Sequence, residues 1–407
     1  MAALALQAAF ARRDAPGVEV VLVDVMDLCP RYFRYVFLTM FQQFTQSLVG
    51  QHVLGLAYDA ADKGRAKSDF QKLFERFVSL ALIDRVAKVR PDVVVCTHFL
   101  PAQVLAGLRR RGVLGSRTLQ AQARALPLAL VLTDLDLQFM WVNDVDAYFV
   151  PREAAVHMLE AYGALRGGAR ATVSGIPIYP AFADKARDAR SANKPYAADR
   201  RRAELAALGS WQGSTRLGVG GWPPADDPRP VLLYISSGNA VRETYARILE
   251  ASTPLRVIVC TGRQADVRAE LEQLPLPARH AVLMLGFVSE CAATPGGMPT
   301  LLRCADLFVG KSGGLAVAEA AALCVPMVVL DPIPGQEQRN ADVLLEAGAA
   351  FKINDLPLLP RRIDDALGGQ RAKAREMAQR IRTLGQPDAA ATVVDAVLAG
   401  EVAPIYR

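Results

Sequence analysis

The sequence predicts an α/β protein of two doubly wound domains that face each other across a cleft. Three observations carry this. The 407 residues exceed what one core holds comfortably and suit two. A strand, helix, strand rhythm occurs twice, on either side of a stretch at 183–230 rich in Arg, Ala, Gly and Pro that reads as a linker with a flexible insertion. The predicted strands are short apolar runs that end abruptly in polar residues, as buried parallel strands do where their C-terminal ends meet a ligand.

Composition narrows the function classes. Hydrophobic residues make up 52% and charged residues 22%, so the chain has the means to bury large cores and is not a disordered one. A formal charge of +6 favours anionic partners, whether lipid headgroups, nucleic acid or nucleotide diphosphates. No zinc spacing, RNA-binding motif or basic segment interleaved with aromatics is present, which argues against nucleic acid. The six cysteines are scattered through apolar runs without a C-x-x-C pair and read as reduced structural residues. With no apolar run of about 18 residues and no leader-like N-terminus, the chain is expected to lie against a membrane rather than cross it.

In chain order, residues 1–14 have helical periodicity, and a break at Pro16-Gly17 leads to an expected strand at 18–23. Phe33, Phe37, Phe41 and Phe44 then recur at helical spacing, with Arg31 and Arg34 at the leading end. Such a face either enters a bilayer interface while the arginines meet anionic headgroups or packs into a core. A long helix over 69–89 precedes a short strand, and His98 stands at that strand's C-terminal end. The strand at 128–132 ends in Thr133-Asp134-Leu135-Asp136. An Asp-x-Asp after a strand can hold a divalent cation, as in one class of glycosyltransferases, or open a dehalogenase-like phosphatase motif, whose Gly-Thr continuation is replaced by Leu137-Gln138. The second domain starts with a strand at 231–235, turning at Ser236-Ser237-Gly238-Asn239, and continues with a strand at 256–260 and the run VLMLGF at 282–287.

The chemistry concentrates in KSGGLAVAEAAALCVPMVVLDPIPGQEQRN, residues 311–340. Gly313 and Gly314 are expected to form a turn in conformations closed to other residues, feeding a helix from Leu315 whose free amides and dipole suit a phosphate. Glu319, the single charged residue of that helix, is placed to accept hydrogen bonds from a ribose diol, or is simply a solvated helix residue. A buried strand at 326–330 stops at Asp331-Pro-Ile-Pro-Gly335, and the polar residues 336–340 beyond it offer partners to sugar hydroxyls, or start a surface helix.

These motifs resemble those of the monogalactosyldiacylglycerol synthases and processive diacylglycerol glucosyltransferases, with the lipid II-forming N-acetylglucosaminyltransferase as a more distant relative. KSGGLAVAEA stands where that family has KPGGL and an SEA-like triplet, and DPIPGQEQRNA where it has DPIPGQEERNA. Ala3–Phe10 resembles the family's A-x-A-L-x-x-A-F helix; Thr97-His98, Trp141, 145–150 and Gly175-Ile-Pro-Ile178 with Pro180 and Phe182 fit its frame, with Asn143 in a His position. The likeness spans roughly residues 3–350. The first strand and the glycine-rich loop ending in Gly-His have no counterpart in this sequence.

The resemblance implies the GT-B fold: two Rossmann-like doubly wound domains, an acceptor-side one at 1–182 and a UDP-sugar-binding one at 231–360, with helices over 361–407. It implies a hexosyltransferase that inverts the sugar carbon and needs no cofactor or metal beyond its UDP-sugar donor, working on a membrane lipid at the inner face of the cell membrane. Ser237, Gly238, Phe287, Gly313, Gly314, Leu315, Glu319, Gln336 and Glu337 would then bind the donor. His98 or Asp134 would act as base or orienting group, and Arg31, Phe33, Arg34, Phe37 and Phe41 would meet the lipid surface. A non-catalytic nucleotide-sugar or lipid-binding relative and a UDP-sugar epimerase are the competing readings.

Overall fold

The computed structural model describes residues 1–32, 34–35, 39, 50, 69–110, 126–190, 194–209, 211, 214–218, 221–236, 240–289 and 297–404. Among these the chain divides into two compact units. The first comprises Met1–Ile178, Ile333–Arg339 and Asp388–Arg407, and the second Tyr179–Pro332 and Asn340–Pro387.

The first unit is built on a four-stranded parallel sheet in the order β1-β2-β3-β4, formed by β1 (Val94–Cys96), β2 (Leu128–Val131), β3 (Ala147–Val150) and β4 (Arg170–Val173). β2 and β3 are buried at every position, as apolar strands covered on both faces must be. Helices α1 (Ala2–Arg12), α2 (Asp69–Val89), α3 (Phe99–Arg110) and α4 (Glu153–Ala161) belong to this unit. Leu6 and Ala9 of α1 pack with Val393 and Val394 of the last helix onto Ala129, Val131 and Phe149, so the two ends of the chain cover one sheet face together. α2 and α3 supply the other face, where Leu105 and Leu108 meet Leu128 and Leu130.

Residues 18–23 do not form the expected strand. β1 pairs with β2, and no described strand pairs with this run, so Val18, Val20 and Leu22 stand exposed at 46%, 37% and 42%. The run stays unpaired although β1 is an edge strand of this sheet, so its propensity is not matched by a ladder.

One buried ion pair fastens the first unit. Arg109 of α3 donates to the Asp146 carboxylate and to the Asp144 carbonyl at 2.6 Å, and the same carboxylate accepts the Leu128 amide at 2.8 Å. Asp146 is 3% exposed, so helix, strand and loop share a single desolvated anion.

The second unit contains a seven-stranded sheet ordered β11-β10-β9-β6-β7-β8-β5. Its strands are β5 (Thr215–Leu217), β6 (Val231–Ile235), β7 (Arg256–Cys260), β8 (Ala281–Leu285), β9 (Leu307–Gly310), β10 (Met327–Leu330) and β11 (Ala350–Ile353). All are parallel except β5, which pairs antiparallel with β8 at the edge. Counted from β6, the parallel strands follow the dinucleotide-fold order 3-2-1-4-5-6, and the winding reverses between β6 and β9.

The stretch at 183–230 is folded rather than a linker. It holds most of α5 (Pro180–Arg190), α6 (Lys194–Gly209) and β5. Leu205 and Leu208 are buried, Arg201 reaches the Cys304 carbonyl at 2.7 Å, and Glu204 pairs with Lys185 and Arg303. Leu205 and Leu208 form the docked face of α6, while Arg202, Ala203 and Ala206 are exposed. The remaining helices are α7 (Val241–Leu249), α8 (Ala265–Glu272), α9 (Met298–Cys304), α10 (Gly314–Ala322), α11 (Gln336–Glu346), α12 (Leu359–Leu367), α13 (Ala372–Ile381) and α14 (Ala389–Leu398). Of the C-terminal stretch, α12 and α13 lie in the second unit and α14 in the first.

His280 is 1% exposed and joins α7 to β7. Its Nδ1 accepts the Leu255 amide at 3.1 Å, which leaves Nε2–H to donate to the Leu249 carbonyl at 3.1 Å. Burial, aided by Arg279, holds its pKa below 6.5.

Two predictions follow from these anchors. Asp146→Ala leaves the Arg109 charge and the Leu128 amide buried without their acceptor and should lower unfolding free energy by about 3–5 kcal/mol in urea denaturation; an unchanged midpoint would contradict the anchor. The folded protein keeps His280 neutral where the unfolded chain takes up a proton. Its contribution is therefore complete above pH about 6.5 and declines as pH falls below that value. Thermal melts from pH 7 to 5 should show a steeper loss for the parent than for a His280→Gln variant, and parallel curves would refute this.

Candidate functional site

In the second unit the strand order reverses between β6 and β9, so the loops leaving their C-terminal ends diverge and open a crevice. The two segments that follow these strands are Ser236–Asn239 and Lys311–Gly314, the ones the sequence singles out. Ser236 donates its amide to the Cys260 carbonyl at 3.0 Å, but its Oγ is buried with no hydrogen-bond partner. A buried hydroxyl at a strand-order reversal is a donor in want of an acceptor. Ser237 and Gly238 lie outside the described residues.

Gly313 is the N-cap of α10, with φ −60° and ψ 140°, and Gly314 is its first residue. The expectation that these glycines occupy conformations closed to other residues is therefore corrected for Gly313, whose backbone is ordinary. Gly314, inside the helix, has an ordinary backbone as well. The first intrahelical bond runs from the Val317 amide to the Gly313 carbonyl at 2.9 Å, so the amides of Gly314, Leu315 and Ala316 precede the helical ladder. Together with the helix dipole these amides have the chemistry that suits an anion.

Glu319 is 7% exposed, which removes the alternative of a solvated helix residue. A buried carboxylate in a helix otherwise made of Ala, Val, Leu and Gly is costly to keep, and hydrogen-bond donors are what make it tolerable. α10 is fixed from behind: a Cβ on Gly385 would lie 2.4 Å from the Ala321 carbonyl oxygen, so only glycine lets that segment meet the helix backbone.

At the ends of β7 and β8, Thr261 donates its amide to the Leu285 carbonyl at 2.9 Å and its hydroxyl to the same oxygen at 3.1 Å. This clamp holds two turns side by side. Phe287 leaves the second turn 61% exposed, with the Arg263 guanidinium 4.8 Å from its ring centroid. An exposed aromatic ring capped by a cation is an available stacking surface.

The first unit holds the other candidates. His98 lies just ahead of α3, and its Nδ1 accepts the Leu100 amide at 3.2 Å, so it caps the helix. With Nδ1 accepting, the neutral ring carries its proton on Nε2 and presents a donor rather than a base. Phe99 stacks on the ring at 4.3 Å and Trp141 lies 6.0 Å away. Desolvation lowers the imidazole's pKa from its ordinary value, although the residue as a whole is exposed.

Asp134 is 8% exposed and accepts a hydrogen bond from Gln336 Nε2 at 2.9 Å, both residues belonging to the first unit. Asp136 instead pairs with Arg152 at 3.3 Å and Arg339 at 3.1 Å. The Asp-x-Asp pattern thus places its two carboxylates in different roles, with the second bound to guanidinium groups. Glu337 turns back and accepts the Ile333 amide at 2.7 Å, so part of its carboxylate shapes the turn that presents Gln336. Asn143, in the family's His position, donates to the Met140 carbonyl at 3.1 Å and serves a turn.

Near the N-terminus, Arg31 is exposed and Arg34 pairs with Asp27, while Tyr32 and Tyr35 are 81% and 70% exposed. Phe33, Phe37 and Phe41 lie outside the described residues. Among the described residues no helix is long and apolar enough to cross a membrane.

The second unit therefore brings Ser236 and the Gly313–Gly314 turn to one strand-order reversal, with Glu319 on the helix that leaves it. The first brings Asp134 and Gln336 into contact. The sequence reading names the Ser236 hydroxyl as a phosphate donor and Arg339 among the polar residues open to a sugar, where the structure gives Arg339 to Asp136; Arg152 carried no local signal and was not selected.

The family described as Monogalactosyldiacylglycerol (MGDG) synthase matches residues 1–178. The processive diacylglycerol beta-glucosyltransferase of Bacillus licheniformis is 23% identical over 355 residues, 86% of this chain and 78% of that one. The enzyme of the same name from Bacillus subtilis is 24% identical over 325 residues, 79% of this chain and 70% of the relative. In structure the chain is similar to MurG of Acinetobacter baumannii, with TM-score 0.52, 16% identity and coverage of 81% and 79%, and to S. aureus MnaA in a co-structure with UDP, with TM-score 0.53, 14% identity and coverage of 83% and 82%. At these identities the structures speak for the fold alone. The chain has the GT-B fold and is similar over most of its length to the processive diacylglycerol glucosyltransferases, and its first 178 residues match the family described as monogalactosyldiacylglycerol synthase.

Proposed function

We propose that this protein transfers a hexose from a UDP-sugar to the hydroxyl of a membrane lipid such as diacylglycerol, inverting the configuration at the sugar carbon. The observation that carries the reading is Glu319, a carboxylate buried one to two turns into a helix whose N-terminal amides open at the strand-order reversal. That pairing of anion-binding amides with a buried acceptor suits a nucleotide: the diphosphate takes the amides of Gly314 and Leu315, and the ribose diol donates to Glu319. The orphan Ser236 hydroxyl adds a donor for phosphate oxygen, and Phe287 with Arg263 supplies a surface for the base. The names of the sequence relatives support a lipid acceptor and a glucosyl-type transfer.

In the reaction, Asp134 takes the proton of the acceptor hydroxyl as its oxygen attacks the anomeric carbon, and the bond to the diphosphate breaks on the opposite face. His98 holds the acceptor through its Nε2–H, and Gln336 and Glu337 engage the hexose. The amides and the dipole of α10 stabilise the charge that develops on the leaving diphosphate, the task a divalent cation performs in other transferases. Arg31 and Arg34, with Tyr32 and Tyr35 exposed beside them and a net charge of +6, bring the protein to the anionic inner face of the cell membrane.

The direct test incubates radiolabelled UDP-glucose or UDP-galactose with diacylglycerol liposomes and separates the products by thin-layer chromatography. Label in a glycolipid supports transfer. Exchange of label between UDP-sugars would make the protein an epimerase, and binding without turnover would make it a nucleotide-sugar receptor. Glu319→Ala should weaken UDP binding by about tenfold or more, the loss of a hydrogen bond to a charged group, with the circular dichroism unchanged; calorimetry giving the parent's affinity would refute the assignment. Gly385→Ala should cost about 1–3 kcal/mol of stability by overpacking α10 and weaken UDP binding in step. A variant that is destabilised while binding UDP as the parent does would show that helix position does not govern the site.

A further inference from the structure

Asp136 lies two residues beyond Asp134, and its contacts tie together two segments far apart in sequence. Its Oδ1 accepts from Arg152 Nη2 at 3.3 Å and its Oδ2 from Arg339 Nη1 at 3.1 Å. Each arginine also takes a carbonyl of the same loop: Arg152 Nε donates to Leu135 O at 2.9 Å, and Arg339 Nη1 to Leu137 O at 3.5 Å. Gln336 Nε2 donates to Asp134 Oδ2 at 2.9 Å. Gln336 and Arg339 are three residues apart in the first turn of α11, hence on one side of it. The loop after β2 and this turn are therefore joined by two rungs, 134 to 336 and 136 to 339, all within the first unit. The Asp136 side chain is only 19% exposed, so its ion pairs are screened less than surface ones.

We propose that Asp136 is a positioning residue that holds Gln336 on Asp134 and so couples the donor sugar to the catalytic base. The proposal rests on the transferase reading above. A carboxamide donates at one end and accepts at the other. A Gln336 whose nitrogen holds Asp134 and whose carbonyl oxygen, with two acceptor positions, faces a hexose hydroxyl sets the distance from sugar to base by one rigid group. Asp136 fixes where that group sits, because Arg339 carries the same helical turn. Displacements of about 1 Å at a reacting centre cost on the order of a hundredfold in rate, so a salt bridge outside the chemistry can control it. A salt bridge that merely stabilised the fold would not separate turnover from nucleotide binding.

The test compares the full-length parent with Asp136→Asn, Asp136→Glu, Gln336→Leu and the double variant Asp136→Asn/Gln336→Leu. It reads liposome transfer kinetics, UDP binding by calorimetry, and hydrogen exchange over 134–138 and 333–340. Asp136→Asn should lower kcat on the order of ten- to a hundredfold with UDP affinity unchanged, Gln336→Leu should do the same, and the double variant should lose no more than either single one. Asp136→Glu, which keeps the charge, should recover part of the loss, and exchange in both segments should quicken in Asp136→Asn. Multiplying losses in the double variant, a joint fall in kcat and UDP affinity, or exchange identical to the parent's would each overturn the proposal. If the parent neither binds UDP nor turns over, the transferase reading fails on that result, while the exchange comparison still decides whether Asp136 holds the two segments together.

Discussion

The constraint on which the site depends is the reversal of strand order between β6 and β9. A parallel sheet wound in one direction sends every connecting helix over the same face, and its loops crowd together. Where the winding turns back, adjacent strands send their loops apart, and the helix that follows β9 begins with its free amides at the gap. Gly385 meeting the backbone of Ala321 keeps the helix where the reversal puts it.

The first unit solves a different problem, that of presenting a carboxylate without letting it drift. Asp134 sits at the end of a strand buried on both faces, and the loop beyond it is gripped at its carbonyls by Arg152 and Arg339. His98 is held by capping a helix, which fixes its ring and dictates which nitrogen carries the proton. His98 is placed by a backbone amide, whereas Asp134 is held through the Gln336 side chain and a loop gripped by two arginines.

Much of this was legible in the sequence. The strands from β6 to β10 and the helix after Gly314 follow from apolar runs punctuated by glycine and proline, because those signals are local. Other features depend on partners that one segment cannot reveal. The run at 18–23 has every propensity of a strand yet pairs with no described strand, and the Arg- and Ala-rich stretch at 183–230 becomes helix and strand through buried leucines and polar contacts reaching residues about a hundred positions away. Glycines at 313 and 314 were rightly placed at the start of the helix, but neither takes an unusual φ. His98 was legible as a polar group at a strand end; that its Nδ1 is committed to Leu100 was not. The pairing of Asp136 with Arg339 spans about two hundred residues and has no signature in either segment.

The central claim is that the turn before α10 cradles a nucleotide diphosphate while Glu319 holds the ribose. A crystal structure of the protein grown with UDP tests it most directly. The account predicts phosphate oxygens within hydrogen-bond distance of the Gly314 and Leu315 amides and both ribose hydroxyls on the Glu319 carboxylate. UDP bound elsewhere on the protein, or bound with its ribose away from Glu319, would contradict it.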